Sequence, residues 1–171
     1  MATEKICIEG SEVETLVELL RPGLRFIVVG LNPSPVSVKA GHYYQGRLGQ
    51  QFFRRLQHSG IVGPLPVGRE DEVAFEYGVG FADLVRRPTP RGSKGLTRTE
   101  VDQAVPDLLK RLGQTADKPP LLFVFKSAFE AAETALSEAG YTLYQMPHPR
   151  RGRREDVQLK MARLREKLGA G

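Results

Sequence analysis

Arg25-Phe26-Ile27-Val28-Val29-Gly30-Leu31-Asn32-Pro33 decides how this chain is read. Four consecutive large apolar residues leave no face for water, so residues 25–30 are expected as a strand covered on both sides. Val79–Val85, Leu121–Phe125 and Tyr141–Met146 have the same character. Helical patterns lie between these runs. Gln50–Ser59 puts Phe52, Phe53 and Leu56 on one side, and residues 127–139, rich in Ala and Glu, end at Gly140. Thr97 with Glu100 forms a capping box ahead of Val101, Val105, Leu108 and Leu112, and Pro106 should kink or split that helix. Residues 156–168 gather Val157, Met161, Leu164 and Leu168. Near the start, Ser11 with Glu14 predicts one more capped helix, its apolar face built from Val13, Leu16, Val17 and Leu20.

Strands alternating with helices give an α/β fold with a mostly parallel central sheet of about four to five strands and helices on both faces. Nothing divides the chain, so residues 1–171 are expected as a single domain. Ligands of such sheets bind beyond the carboxyl ends of the strands. The segments to inspect are therefore 31–45, 86–94, 126–127 and 147–154.

Composition narrows the function classes. Cys7 is the one cysteine, which excludes a disulfide framework and a Cys-rich zinc site. His42, His58 and His148 are too widely spaced for the short metal motifs, so neither metal nor cofactor is expected. No apolar run reaches the ~18–20 residues of a membrane span, and the acidic first ten residues are no secretory signal. The expectation is a cytoplasmic monomer (nucleoid-associated if bacterial) with no membrane partner.

Charge supplies a positive hint. Lys and Arg number 25 against 20 Asp and Glu, for a net +5. Residues 150–167 hold eight cations and three acids, which equals the whole excess. Arg86, Arg87, Arg91, Lys94 and Arg98 form a second cluster with no acidic residue. Each cluster follows a predicted strand, which favours a phosphate-backbone partner over two solvated surfaces.

The strand ends carry the candidate chemistry. Asn32 is followed by Pro33-Ser34-Pro35, prolines that stiffen the turn and leave its amide rigidly placed to donate and accept. No glycine pattern suits a nucleotide triphosphate. Gly41-His42-Tyr43-Tyr44 serves either core packing or as a stacking platform for a planar base. The last strand runs into Met146-Pro147-His148-Pro149-Arg150-Arg151-Gly152-Arg153-Arg154, where a histidine between prolines can donate to a developing anion and the arginines can hold phosphates.

From about Pro22 to Arg154 the sequence resembles the uracil-DNA glycosylase superfamily, and within it the mismatch-specific uracil/thymine branch. Gly30-Leu31-Asn32-Pro33 is similar to the family's first motif, and Gly41-His42-Tyr43-Tyr44 falls where the family places its base-stacking aromatic. Gln51-Phe52-Phe53 resembles the opening of the family's next helix. Tyr77-Gly78-Val79-Gly80-Phe81-Ala82-Asp83-Leu84-Val85-Arg86-Arg87-Pro88-Thr89, continued by Gly92-Ser93-Lys94, resembles its second conserved stretch. Three positions depart from the branch: Ser34 replaces a glycine, Asp83 replaces Asn or Lys, and the final motif begins with His148, as in the single-strand-selective and classical uracil branches.

The resemblance implies a monofunctional base-excision enzyme acting on DNA that contains uracil or a mismatched or damaged base. Asn32 would position the hydrolytic water, and His148 would donate to the departing base. Leu31, Ser34 and Tyr44 would contact that base. Asp83 could accept from a base N–H, activate water, or cap the chain near Arg86. Arg150, Arg151, Arg153, Arg154 and Lys94 would bind DNA, with Arg151 the expected plug of the emptied stack. A silent nucleic-acid-binding module and a small-molecule α/β enzyme acting on nucleosides are the alternatives.

Overall fold

The structure, a computed structural model, describes residues 3–90, 92–148 and 154–169. Its centre is a parallel sheet of β3 (Phe26–Gly30), β4 (Val79–Asp83), β5 (Leu121–Phe123) and β6 (Leu143–Gln145), in the order β4-β3-β5-β6. All four apolar runs are strands, as the sequence predicts. Side chains alternate across the sheet. Phe26 and Val28 face one core, shared with α2 (Arg47–His58), α3 (Glu70–Glu76) and α7 (Arg154–Leu168). Ile27 and Val29 face the other, shared with α4 (Arg98–Gln103), α5 (Val105–Leu112) and α6 (Lys126–Glu138). Period-two alternation thus supplies two cores from one strand.

The helices follow their local signals. Thr97 accepts from the Glu100 N–H and the Glu100 carboxylate accepts from the Thr97 N–H, the reciprocal cap that starts α4. Pro106 sits in the first turn of α5, where a missing N–H costs nothing, so the predicted split falls at Ala104. In α2 the buried Phe52, Phe53 and Leu56 each contribute about 1.5–3 kcal/mol of apolar burial.

One element departs from expectation. Residues 11–16 form no helix. They are β2 (Ser11–Leu16), paired antiparallel with β1 (Thr3–Ile8) in a two-stranded sheet. Glu9 and Gly10 take φ of 49° and 79°, the left-handed pair that a two-residue hairpin turn needs. Arg86 fastens the hairpin to the end of β4 by donating to Glu4 Oε1 at 2.6 Å and to the Leu16 carbonyl at 3.0 Å. The tertiary partner, and not the local spacing, selected the strand.

The chain leaves β3 for β4 on one side and returns past β3 to β5 on the other. Such a reversal opens a crevice beyond the carboxyl ends of the strands. Short α1 (Pro35–Ala40) leads out of that crevice.

Candidate functional site

Backbone bonds carry the β3–β4 pairing past the strands. The Leu84 N–H donates to the Gly30 carbonyl at 3.0 Å, and the Val85 N–H to that of Leu31 at 2.9 Å. Asn32 comes next and is half-buried. Its Nδ2 donates to the Arg87 carbonyl at 3.1 Å and to Thr89 Oγ1 at 2.9 Å. The side chain therefore ties together the two loops that follow β3 and β4. Both bonds use the amide nitrogen, and Oδ1 accepts none from the described residues. Leu31 is buried in the core shared with α4, α5 and α6. Ser34 caps α1, accepting from the Ser37 N–H at 3.1 Å, and its hydroxyl lies 2.9 Å from Ser37 Oγ.

Asp83 closes β4 directly beside Gly30 and is only 5% exposed. Its carboxyl makes no hydrogen bond to the described residues. Burial foremost, and then the Glu18 carboxyl, push it up to about 8, against the lowering pull of Arg111 and Arg86. At neutral pH it is thus a carboxylic acid, able to donate one hydrogen bond and accept another. Arg86 is turned away to Glu4 and Leu16. The Tyr44 hydroxyl, also buried and without a partner among the described residues, approaches the same point. A Cβ built on Gly30 would lie 2.1 Å from Asp83 Oδ1 and 2.9 Å from that hydroxyl. Burial, followed by Asp83, holds the Tyr44 hydroxyl well above its usual titration range.

Tyr44 adopts a φ of 58°, rare for a bulky residue. Its neighbours impose this turn. The Tyr43 N–H donates to Asp71 Oδ2 at 2.7 Å, and His42 Nδ1 lies 2.9 Å from Asp71 Oδ1. On the other side the Gln45 N–H donates to Ser37 Oγ at 3.2 Å, while Gln45 Nε2 donates to the Tyr43 carbonyl at 3.1 Å. Gly49, in the first turns of α2, lies against the Tyr44 backbone, where a Cβ would fall 2.2 Å from the Tyr44 carbonyl oxygen. The Tyr44 ring packs 4.8 Å from that of Phe52 and 5.9 Å from that of Phe53. Tyr43 is buried in the core, and Tyr44 packs against that core while also bordering open space.

That space is a groove of about 860 Å3 between α2, the ends of β5 and β6, and α7. Tyr44, Phe52, Phe125 and Tyr144 give it an aromatic floor, and His148 lies at its wall. Arg55 braces the end of β6 by donating to the Pro147 carbonyl at 2.5 Å. Lys160, Arg163 and Lys167 reach it from α7. Among the described residues no carboxylate lines it.

Of the predicted site residues, the structure brings Tyr44 and His148 to this groove, and Asp83 beside the Tyr44 hydroxyl. Asn32, Leu31 and Ser34 stand at the end of β3 outside its lining, and Lys94 is exposed on a short 3-10 turn (Gly92–Gly95). Arg150, Arg151 and Arg153 lie outside the described residues, as does the side chain of Arg154 at the head of α7. Among the described residues no group of three or more His, Cys, Asp or Glu could hold a metal ion, and no helix is long and apolar enough to cross a membrane. Sequence reading missed the buried Glu18–Arg111 ion pair behind Asp83. Arg111 Nη1 meets Glu18 Oε1 while Nη2 donates to the Asp83 and Leu84 carbonyls at 3.1 Å each. Lys160, Arg163 and Lys167 belong to the basic cluster that the sequence shows at 150–167, and the structure sets them on one face of α7.

Comparison with known proteins agrees with this fold. The fold is similar to the solution NMR structure of a candidate uracil DNA glycosylase from Methanosarcina acetivorans. The TM-score is 0.55 at 17% sequence identity, over 88% of this chain and 96% of that one. The model of the uracil DNA glycosylase superfamily matches residues 17–168, beginning just past the hairpin. With that match covering most of its length, the chain belongs to the uracil DNA glycosylase superfamily.

Proposed function

We propose that this protein excises uracil from DNA by hydrolysing the N-glycosidic bond of a flipped-out nucleotide, leaving an abasic site and an uncut strand. The branch resemblance points to G:U mismatches as a substrate. One observation supports the reading above others: the superfamily match spans residues whose Gly30-Leu31-Asn32-Pro33 and Pro147-His148 segments both follow sheet strands at their carboxyl ends. Hydrolysis there needs a placed water, a donor for the leaving base and a grip on the extruded nucleotide.

Asn32 is suited to the first task. Its Nδ2 is committed to Arg87 and Thr89, which fixes the plane of the amide and leaves Oδ1 to accept from a water. A neutral amide orients water without taking its proton. His148 would donate to the base carbonyl as negative charge grows on the leaving pyrimidine. The protonated Asp83 presents an O–H and a C=O side by side, matching the adjacent acceptor and N–H of a uracil edge. Tyr44 would border the base, with Leu31 and Ser34 shaping the backbone around it. Lys94, Arg150, Arg151, Arg153 and Arg154 would hold phosphates, Arg151 filling the vacated stack.

Incubation with a labelled uracil-containing oligonucleotide, then alkali, tests the proposal. Cleavage at the uracil after alkali alone is expected. Asn32→Ala should remove it under single-turnover conditions while binding stays within a few-fold. Binding without any excision across uracil, thymine, hypoxanthine and adducted bases would leave a nucleic-acid-binding module in place of an enzyme.

A further inference from the structure

We infer that the groove between α2 and α7 binds an unpaired DNA strand, its phosphates along α7 and its bases on the aromatic floor. The choice of DNA as partner rests on the proposed function; the unpaired form rests on the groove itself. Lys160, Arg163 and Lys167 stand at i, i+3 and i+7, so they form one stripe about 10 Å long on one face of α7. Like charges at this spacing weaken a helix, and no carboxylate of the described residues pairs with them. Lys126, across the groove, differs: it already pairs with Glu130 at 3.0 Å. Unpaired cations facing a hollow without acids leave positive potential for an anionic ligand to neutralise.

The floor selects among anions. Phe125 is 43% exposed at the end of β5, and Leu48 on α2 is 77% exposed across from it. Lys167 Nζ sits 5.2 Å from the Tyr144 ring centroid, joining the cationic wall to that floor. A duplex offers phosphates and base edges to such a surface, but its base faces are covered by stacking. A single strand offers phosphates and base faces together, and basic walls with exposed rings are how such strands are held. His148 lies at the wall, so a strand in the groove leads to the residue expected to meet the base.

Fluorescence anisotropy with a labelled oligonucleotide strand free of uracil and thymine tests this, as a single strand and as the matched duplex. At low salt the single strand should bind at least tenfold more tightly. Replacing Lys160, Arg163 and Lys167 together with Ala should flatten its log K against log salt by about two units, at about 0.7 per phosphate contact. Phe125→Ala should weaken it roughly five- to 150-fold. All four positions are exposed, and an unchanged melting temperature would show that the variants fold. Equal affinity for duplex and single strand, an unchanged salt slope in the triple variant, or tighter binding of the same sequence as RNA would each overturn the proposal. The probe holds no uracil, so failure here leaves the excision reading standing, and failure of excision leaves this binding to be measured on its own.

Discussion

Gly30 and Asp83 face each other across the β3–β4 ladder with no space between them for a methyl group. A Cβ on residue 30 would meet the Asp83 carboxyl and crowd the Tyr44 hydroxyl, and both groups are held by buried strand and loop backbone. Gly30→Ala should therefore destabilise the fold by about 1–3 kcal/mol, the usual cost of overpacking. Chemical denaturation measures it, and a loss below about 0.5 kcal/mol would mean that Asp83 can swing aside.

The raised Asp83 carboxyl makes stability depend on pH in a stated direction. Between its ordinary 3.8 and its folded value of about 8, the native state keeps a proton that the unfolded chain has released. Stability is therefore greatest at the acid end of that window and falls as pH rises toward 8, with no further loss from this group above it. Glu18, also raised, adds a slope of the same sign. Asp83→Asn cannot ionise, so denaturation midpoints from pH 5 to 9 should fall less steeply in this variant, which should be the more stable protein at pH 9. Parallel pH profiles for the two proteins would contradict this.

Asn32 also ties two loops, which separates its structural role from its chemical one. In Asn32→Asp a carboxylate oxygen replaces the Nδ2 donor opposite the Arg87 carbonyl. Acceptor against acceptor should cost about 1–3 kcal/mol, more than Asn32→Ala, where water can enter. Urea titration of both variants gives the order. Should Asn32→Asp match the parent, the Arg87 and Thr89 bonds contribute nothing to stability.

The Glu18–Arg111 pair predicts a non-additive result. Its side chains are 9% and 11% exposed, so Arg111→Met strands a buried carboxyl and frees the Asp83 and Leu84 carbonyls. A loss of about 3–5 kcal/mol is expected. Adding Glu18→Gln removes the uncompensated charge and should restore at least 1 kcal/mol in a double-mutant cycle. Purely additive losses would show that the two residues do not act as a unit.

The sheet was legible because its strands are continuous apolar runs, and Pro106 marked the break between α4 and α5 at the right place. The hairpin was not legible. Ser11, Glu14, Val13 and Leu16 satisfy a capped-helix pattern locally, while Glu9-Gly10 is a weaker turn signal than Asn-Gly or Asp-Gly. What settles it is Arg86, some 70 residues away, reaching Glu4 and the Leu16 carbonyl. The individual strand-end residues could be picked out, because Asn32 and His148 sit beside prolines after apolar runs. Their surroundings could not. The groove draws its walls from α2, β6 and α7, and Asp83 owes its raised titration to burial and then to Glu18, neither of which has a sequence spacing.

Gly49 carries a mechanical consequence. Its Cα rests on the Tyr44 backbone, so α2 meets the loop main chain to main chain, with no rotatable side chain between them to absorb a displacement. Gly49 and Tyr44 both line the groove, and the Tyr44 hydroxyl ends beside Asp83 and Gly30. Any displacement of α2 at Gly49 therefore presses directly on the Tyr44 backbone.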